Sequence, residues 1–101
     1  MPVSVSPQVP QSSPFLLLPP MPRYFVYILQ SEAYPDRFYT GFTQDLEARL
    51  LAHNNGCCDY TRPFRPGRIK TAVMFTDVDQ AHAFERYLKS PSGRAFAKKR
   101  L

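Results

Sequence analysis

From Arg23 onward the apolar positions change period several times, and each change marks a new element. "RYFVYILQ" (23–30) is aromatic and β-branched without helical spacing, and "RFYTG" (37–41) has the same character, so both read as strands. Between them "SEAYPD" supplies Pro35 and Asp36 as turn formers, which predicts a hairpin with its loop centred near residues 33 and 34. On that pairing Tyr27 and Tyr39 fall within one residue of facing each other across the ladder, two phenols on one sheet face. Gly41 ends the second strand and allows the turn into a helix. Thr43 is the expected cap of that helix, and Asp45 and Glu47 fall in its first turn, where the dipole favours acids. Leu46, Leu50 and Leu51 form its buried stripe, and Asn54-Asn55-Gly56 stops it. Arg49 and His53, four apart, share one side of the helix beside that stripe.

"CCDYTRPFRPGR" (57–68) reads as a loop, and "IKTAVMFTD" (69–77) has the apolar run of a buried strand. The stretch from Thr76 to Gln80 carries capping-box chemistry for a helix through Lys89, with Ala81, Phe84 and Leu88 inward and Glu85 at the edge of that face. "KSPSGR" breaks the helix, and "AFAKKRL" (95–101) forms one last basic turn. The order β-β-α-β-α, with a further terminal α, predicts an α/β (α+β) fold: a small three-stranded mixed or antiparallel sheet flanked by helices.

Composition sets the scale of this unit. The 101 residues, 44% hydrophobic and 14% aromatic, are enough for one modest core. The first 22 residues hold seven of the eleven prolines and no charged side chain, so they read as a disordered Pro-rich tail ahead of a folded domain at 23–101. Met21, just before the first strand, reads as an alternative start. Within the tail only "FLLL" (15–18) is continuously apolar, too short for a signal peptide, and no segment approaches the roughly 20 apolar residues of a membrane span. Cys57 and Cys58 are adjacent, which gives neither metal-ligand spacing nor an ordinary structural bridge, and points to free thiols in a reducing, cytoplasmic setting. With 13 basic and 8 acidic residues, a net charge of +5 and a pI near 9.5, the chain favours an anionic partner such as nucleic acid.

Five positions then combine. Phe25-Val26-Tyr27, Tyr39-Thr40-Gly41, Arg49, His53 and Glu85 together resemble the GIY-YIG nuclease domain, in its compact single-domain, excision-nuclease-like form, over residues 23–101. The resemblance implies phosphodiester hydrolysis in DNA, in repair or recombination, with one Mg²⁺ or Mn²⁺ ion held by Glu85 as the single metal-binding carboxylate. It implies Tyr27 as general base or water-orienting group, Tyr39 as a hydrogen-bonding partner of water or phosphate, Arg49 as a bidentate phosphate clamp, and His53 as a donor to phosphate or a proton carrier. The chemistry agrees in kind: Mg²⁺ commonly takes one or two protein carboxylates and completes its shell with water and phosphate. A free phenol with pKa about 10 is ionised to about 0.1% at pH 7, so Tyr27 needs help, for which Arg49 or a metal-bound hydroxide nearby is the expected source. The chain departs from the family pattern at Phe25, where the name-giving glycine stands, at Phe42, where some repair nucleases carry lysine, and at Ala97, where such members carry asparagine.

Each residue also has an ordinary role available: core packing for the tyrosines, a helix ion pair Asp45–Arg49 or Glu85–Lys89, a dipole contact for His53. Arg62, Arg65, Arg68 and Lys70, interleaved with Tyr60 and Phe64, and Lys98, Lys99 and Arg100 at the end, have the character of phosphate contacts with aromatic rings for stacking. The expected partner is DNA, in branched, flapped or damaged form, with a protein partner or homodimer supplying selectivity. The rival reading is a non-catalytic nucleic-acid-binding module on the same fold; an adaptor working through the Pro-rich tail is a third.

Overall fold

The computed structural model describes residues 22–101. The Pro-rich tail and the alternative start at Met21 lie outside the described residues. Strands β1 (Tyr24–Ser31), β2 (Phe38–Thr43) and β3 (Gly67–Phe75) form one sheet of order β2-β1-β3, antiparallel throughout. Helix α1 (Leu46–Asn54) follows β2, a short 3-10 turn (Arg62–Phe64) precedes β3, and α2 (Val78–Lys89) and α3 (Pro91–Arg100) close the chain. The order is β-β-α-β-α-α, and among the described residues no helix is long and apolar enough to cross a membrane.

β1 is central, which is why Val26, Tyr27, Ile28 and Leu29 are buried in succession: both faces of the strand are covered. Its even face carries the apolar core, where Val26 and Ile28 meet Ala81 and Leu88 of α2, ringed by Tyr24, Phe42, Phe75, Phe84, Ala97 and Leu101. Phe42 stacks on His82 at 4.2 Å between centroids, and Ala97 is part of the same core, so both departures from the family pattern serve packing here. The odd face, with Tyr27 and Leu29, turns toward α1 and the loop after it.

The hairpin register places Tyr27 opposite Gly41 and Tyr39 opposite Leu29. Tyr27 and Tyr39 are therefore diagonal neighbours, two residues out of register rather than face to face, with ring centroids 6.4 Å apart. β2 runs on to Thr43, so Gly41 is a mid-strand residue and not the turn expected of it. Its role is clearance: a Cβ there would overlap the Tyr27 phenol.

Local capping differs from expectation by a residue or two. Asp45, not Thr43, caps α1, accepting from the Ala48 amide at 3.1 Å, while Thr43 Oγ1 accepts from the Asp45 amide at 3.0 Å. The stop at Asn54-Asn55-Gly56 is observed, with Gly56 at φ +82° donating to the His53 carbonyl at 3.0 Å. Of the expected leucine stripe of α1, Leu46 and Leu50 are half-buried, while Leu51 is 64% exposed and His53 is the one fully buried residue of the helix. β3 is an edge strand with alternating burial rather than a strand buried on both faces. Asp77 caps α2, accepting from the amides of Asp79 and Gln80. Ser90 then ends α2 and caps α3 by accepting from the Gly93 amide at 3.1 Å, with Pro91 in the first helical position. "KSPSGR" thus starts a ten-residue helix instead of leaving a single terminal turn.

Candidate active site

The odd face of the β1–β2 hairpin and α1 bring four of the five expected residues together. Tyr27, 1% exposed, hydrogen-bonds through its hydroxyl to Nε2 of His53, itself 2% exposed, at 2.9 Å. Tyr39 lies against the same imidazole at 5.1 Å between centroids, edge to face. Arg49 stands one helical turn before His53, exposed at the rim, and borders a cleft with Ala52, His53, Cys57 and Cys58. The i,i−4 pair with Asp45 does not form; the Asp45 carboxylate is occupied in capping α1.

Burial raises the Tyr27 phenol above its ordinary value, and the adjacent Arg49 guanidinium pulls the other way without overcoming it. The help expected from Arg49 is thus outweighed by desolvation. The same adjacency stabilises the Arg49 charge and raises its pKa. Tyr39 is likewise raised, first by burial and then by Cys58, against the positive charges of Lys89 and Arg49. His53 is lowered, by burial and then by Arg49, which keeps the imidazole neutral. A neutral imidazole beside a protonated phenol is a hydrogen-bonded acid–base pair with the proton on oxygen.

Sequence reasoning missed two participants. Thr61 Oγ1 sits 2.8 Å from His53 Nδ1, and Thr61 is 5% exposed. Cys58 is raised by burial, but hydrogen bonds from Thr61, the Tyr60 backbone and Tyr39 outweigh that and hold the thiol below its ordinary value. Both lie in an irregular segment where no periodicity marks a side chain as inward; the Thr-Arg-Pro step that opens a 3-10 turn was the one local sign. Cys57 and Cys58 are free thiols, as their adjacency predicts.

Glu85 comes from the other layer. It lies on α2, its side chain 19% exposed, with Lys89 Nζ donating to Oε2 at 3.0 Å and His82 Nδ1 3.5 Å from Oε1. Its link to the tyrosine side is Lys89, whose charge is felt by Tyr39. Among the described residues no group of three or more His, Cys, Asp and Glu is placed to hold a metal ion. A lone carboxylate still fits a hard divalent cation that keeps most of its waters and takes phosphate oxygens for the rest.

The expected phosphate contacts divide. Arg62 donates from Nε to the Gly56 carbonyl at 2.9 Å and pairs with Asp59 at 2.6 Å, and Arg65 donates to the Arg62 carbonyl at 2.9 Å, so both fasten the loop that carries Thr61. Arg68 donates to Gln30 Oε1 at 2.9 Å and Lys70 to the Leu101 carbonyl, on the even face away from Tyr27. Lys98 and Lys99 are exposed in the last turn of α3.

Comparison with known proteins places the chain in a family. The model of the GIY-YIG catalytic domain matches residues 23–100. A UPF0213 protein of Clostridium perfringens is 39% identical over 66 residues, covering 64% of this chain and 69% of that protein. A UPF0213 protein of Staphylococcus saprophyticus is 31% identical over 71 residues, 69% of this chain and 84% of that one. Among solved structures, the NMR structure of a UPF0213 protein from Bacillus halodurans is 30% identical, covering 75% of this chain and 80% of that one, with a TM-score of 0.47.

Proposed function

The chain belongs to the GIY-YIG catalytic-domain family, and from that premise we propose that it is a divalent-metal-dependent endonuclease that hydrolyses phosphodiester bonds in DNA. The observation that carries this reading is the buried Tyr27–His53 hydrogen bond of 2.9 Å with Arg49 beside it. Hydrolysis needs a proton removed from water, and a phenol at its raised pKa cannot remove one alone. It can if it passes its own proton on. As the water O–H bond breaks and the new O–P bond forms, Tyr27 takes the water proton and hands its hydroxyl proton to Nε2 of His53. The scissile P–O bond then breaks and the departing alkoxide takes a proton from solvent.

Arg49 governs when this happens. While its charge is free, it disfavours a charged imidazole. A phosphate gripped by the guanidinium offsets that charge and raises the basicity of His53 at the moment it is needed. Because Tyr27 is 1% exposed, a water reaches it only with a local opening, and Arg49 is the exposed side chain positioned to move. A Mg²⁺ or Mn²⁺ ion held at Glu85 would neutralise charge on the non-bridging oxygens and stabilise the leaving alkoxide. Tyr39 orients water or phosphate beside Tyr27. Arg68, Lys70, Lys98 and Lys99 supply sequence-independent contacts to a longer DNA backbone, with Arg62 and Arg65 able to contribute only through the charge left at the loop surface. Branched, flapped or damaged DNA fits backbone contacts that carry no sequence information, and a repair or recombination setting in a reducing compartment fits two free thiols.

One observation favours a second reading, a DNA-binding module without catalysis: the Glu85 carboxylate is paired with Lys89. A panel of labelled single-stranded, duplex, flap and junction DNAs, with and without Mg²⁺ or Mn²⁺, separates the two. The nuclease cuts at least one only with metal, and Glu85→Ala and Arg49→Ala abolish cutting while Glu85→Ala keeps binding. Binding across the panel with no metal-dependent cutting by the unaltered protein refutes it.

A further inference from the structure

Under the cleft, three polar side chains form one buried chain. Tyr27 Oη lies 2.9 Å from His53 Nε2, His53 Nδ1 lies 2.8 Å from Thr61 Oγ1, and Thr61 Oγ1 lies 3.4 Å from the Cys58 carbonyl oxygen. Their exposures of 1%, 2% and 5% leave these groups to satisfy one another, and among the described residues no buried side-chain nitrogen or oxygen lacks a partner.

The protons can therefore be counted. Tyr27 has one hydroxyl proton and one hydrogen-bond partner among the described residues, His53 Nε2; the Arg49 guanidinium beside it cannot accept, so Nε2 is the acceptor available to that proton. A neutral imidazole with bare Nε2 carries its proton on Nδ1. That proton points at Thr61 Oγ1, which accepts it and sends its own proton to the Cys58 carbonyl. In the opposite tautomer Nε2–H would point at the Tyr27 oxygen, leaving the phenol proton with no acceptor among the described residues. The chain of donors has a consistent direction in one tautomer only.

We infer that Thr61 is a positioning residue: by accepting from Nδ1 it holds His53 in the tautomer whose Nε2 is open to the Tyr27 proton. The loop is built to keep it there. Arg62, next in sequence, is tied to the Gly56 carbonyl and to Asp59, and Gly56 in turn donates to the carbonyl of His53, so the hydroxyl is fixed relative to the end of α1. The catalytic consequence rests on the nuclease reading; the tautomer does not.

The test uses the full chain labelled with ¹⁵N at histidine, with long-range ¹H–¹⁵N NMR at neutral pH and His82→Gln to assign the two imidazoles. The unaltered protein is expected to show His53 with Nδ1 protonated and Nε2 bare. Thr61→Ser should keep that signature, and Thr61→Val should lose it. Single-turnover cleavage should fall about 10- to 100-fold in Thr61→Val, by analogy with the loss of a partner that orients a metal-bound histidine, and recover in Thr61→Ser. A proton on Nε2 in the unaltered protein overturns the inference, as does a Thr61→Val protein with unchanged tautomer and rate. Should Thr61→Val not fold, the tautomer of the unaltered protein and the Thr61→Ser result decide. If the unaltered protein cuts no DNA, the nuclease reading fails while the NMR result still judges the role of Thr61.

Discussion

The two faces of β1 are made from alternate residues of one strand, yet they are stabilised in opposite ways. On the even face Val26 and Ile28 press against Ala81 and Leu88, where area removed from water sets the energy. On the odd face Tyr27 is as deeply buried as Val26, but its surroundings are His53, Tyr39 and Arg49, and beyond them Thr61. The apolar face tolerates substitution in proportion to volume lost. The polar face has no such latitude, because each group is the partner of the next. A strand covered on both sides can thus carry structure on one parity and chemistry on the other.

The largest effect expected from breaking this division is Tyr27→Phe. The ring remains, the hydroxyl goes, and cleavage should fall by about 10²- to 10⁴-fold, the usual contribution of a positioned acid–base group. The lost donor to His53 should cost about 1–3 kcal/mol of stability, which urea unfolding would register. Leu88→Ala should do the reverse, removing about 2–5 kcal/mol by cavity formation in the even-face core while the folded fraction still cuts at its normal rate. Gly41→Ala joins the two faces of the comparison. Its new methyl group would drive into the Tyr27 phenol, so both stability, by about 1–3 kcal/mol, and cleavage should drop. Asp77→Ala, about two turns before Glu85 on α2, should cost about 0.5–2 kcal/mol through the lost cap of α2 and leave cleavage per folded molecule unchanged.

Much of this arrangement was readable from sequence, and the misses share a cause. Strand character, the stop at Gly56 and the span of α2 are local properties, set by β-branched runs, caps and helical period. Tyr27 could be paired with Tyr39 and Arg49 with His53 because hairpin pairing and an i,i+4 spacing are short-range geometry, while joining the two pairs into one site rested on the resemblance to the GIY-YIG nuclease domain. The rotation of α1 that leaves Leu51 outside and His53 fully buried beside the half-buried Leu46 and Leu50 was not readable, because the helix turns inward the side chain that Tyr27 hydrogen-bonds rather than its whole apolar stripe. Gly41 looked like a turn because glycine usually marks one; the ring it accommodates belongs to the neighbouring strand. Thr61 had no periodicity to betray it. Pro91 read as a helix breaker although proline also begins helices, and Ser90 beside it decides which.

The smallest effect is a pH dependence of stability. The folded-state pKa of His53 is lowered, so the unfolded chain binds a proton that the folded chain refuses. The contribution is therefore fully present above the ordinary imidazole pKa of about 6.5 and is lost as pH falls below it. Urea midpoints should decline with acidification through that range, and less so in His53→Gln.

The central claim is that Tyr27 works by passing its proton to a neutral His53. Its most direct test is the pH dependence of single-turnover DNA cleavage at saturating Mg²⁺. With His53 as the acceptor, the rate should rise with pH only until the imidazole is neutral and then level off. A rate that climbs about tenfold per pH unit toward the raised phenol pKa of Tyr27 would contradict it, because Tyr27 would then be acting as a phenolate without His53.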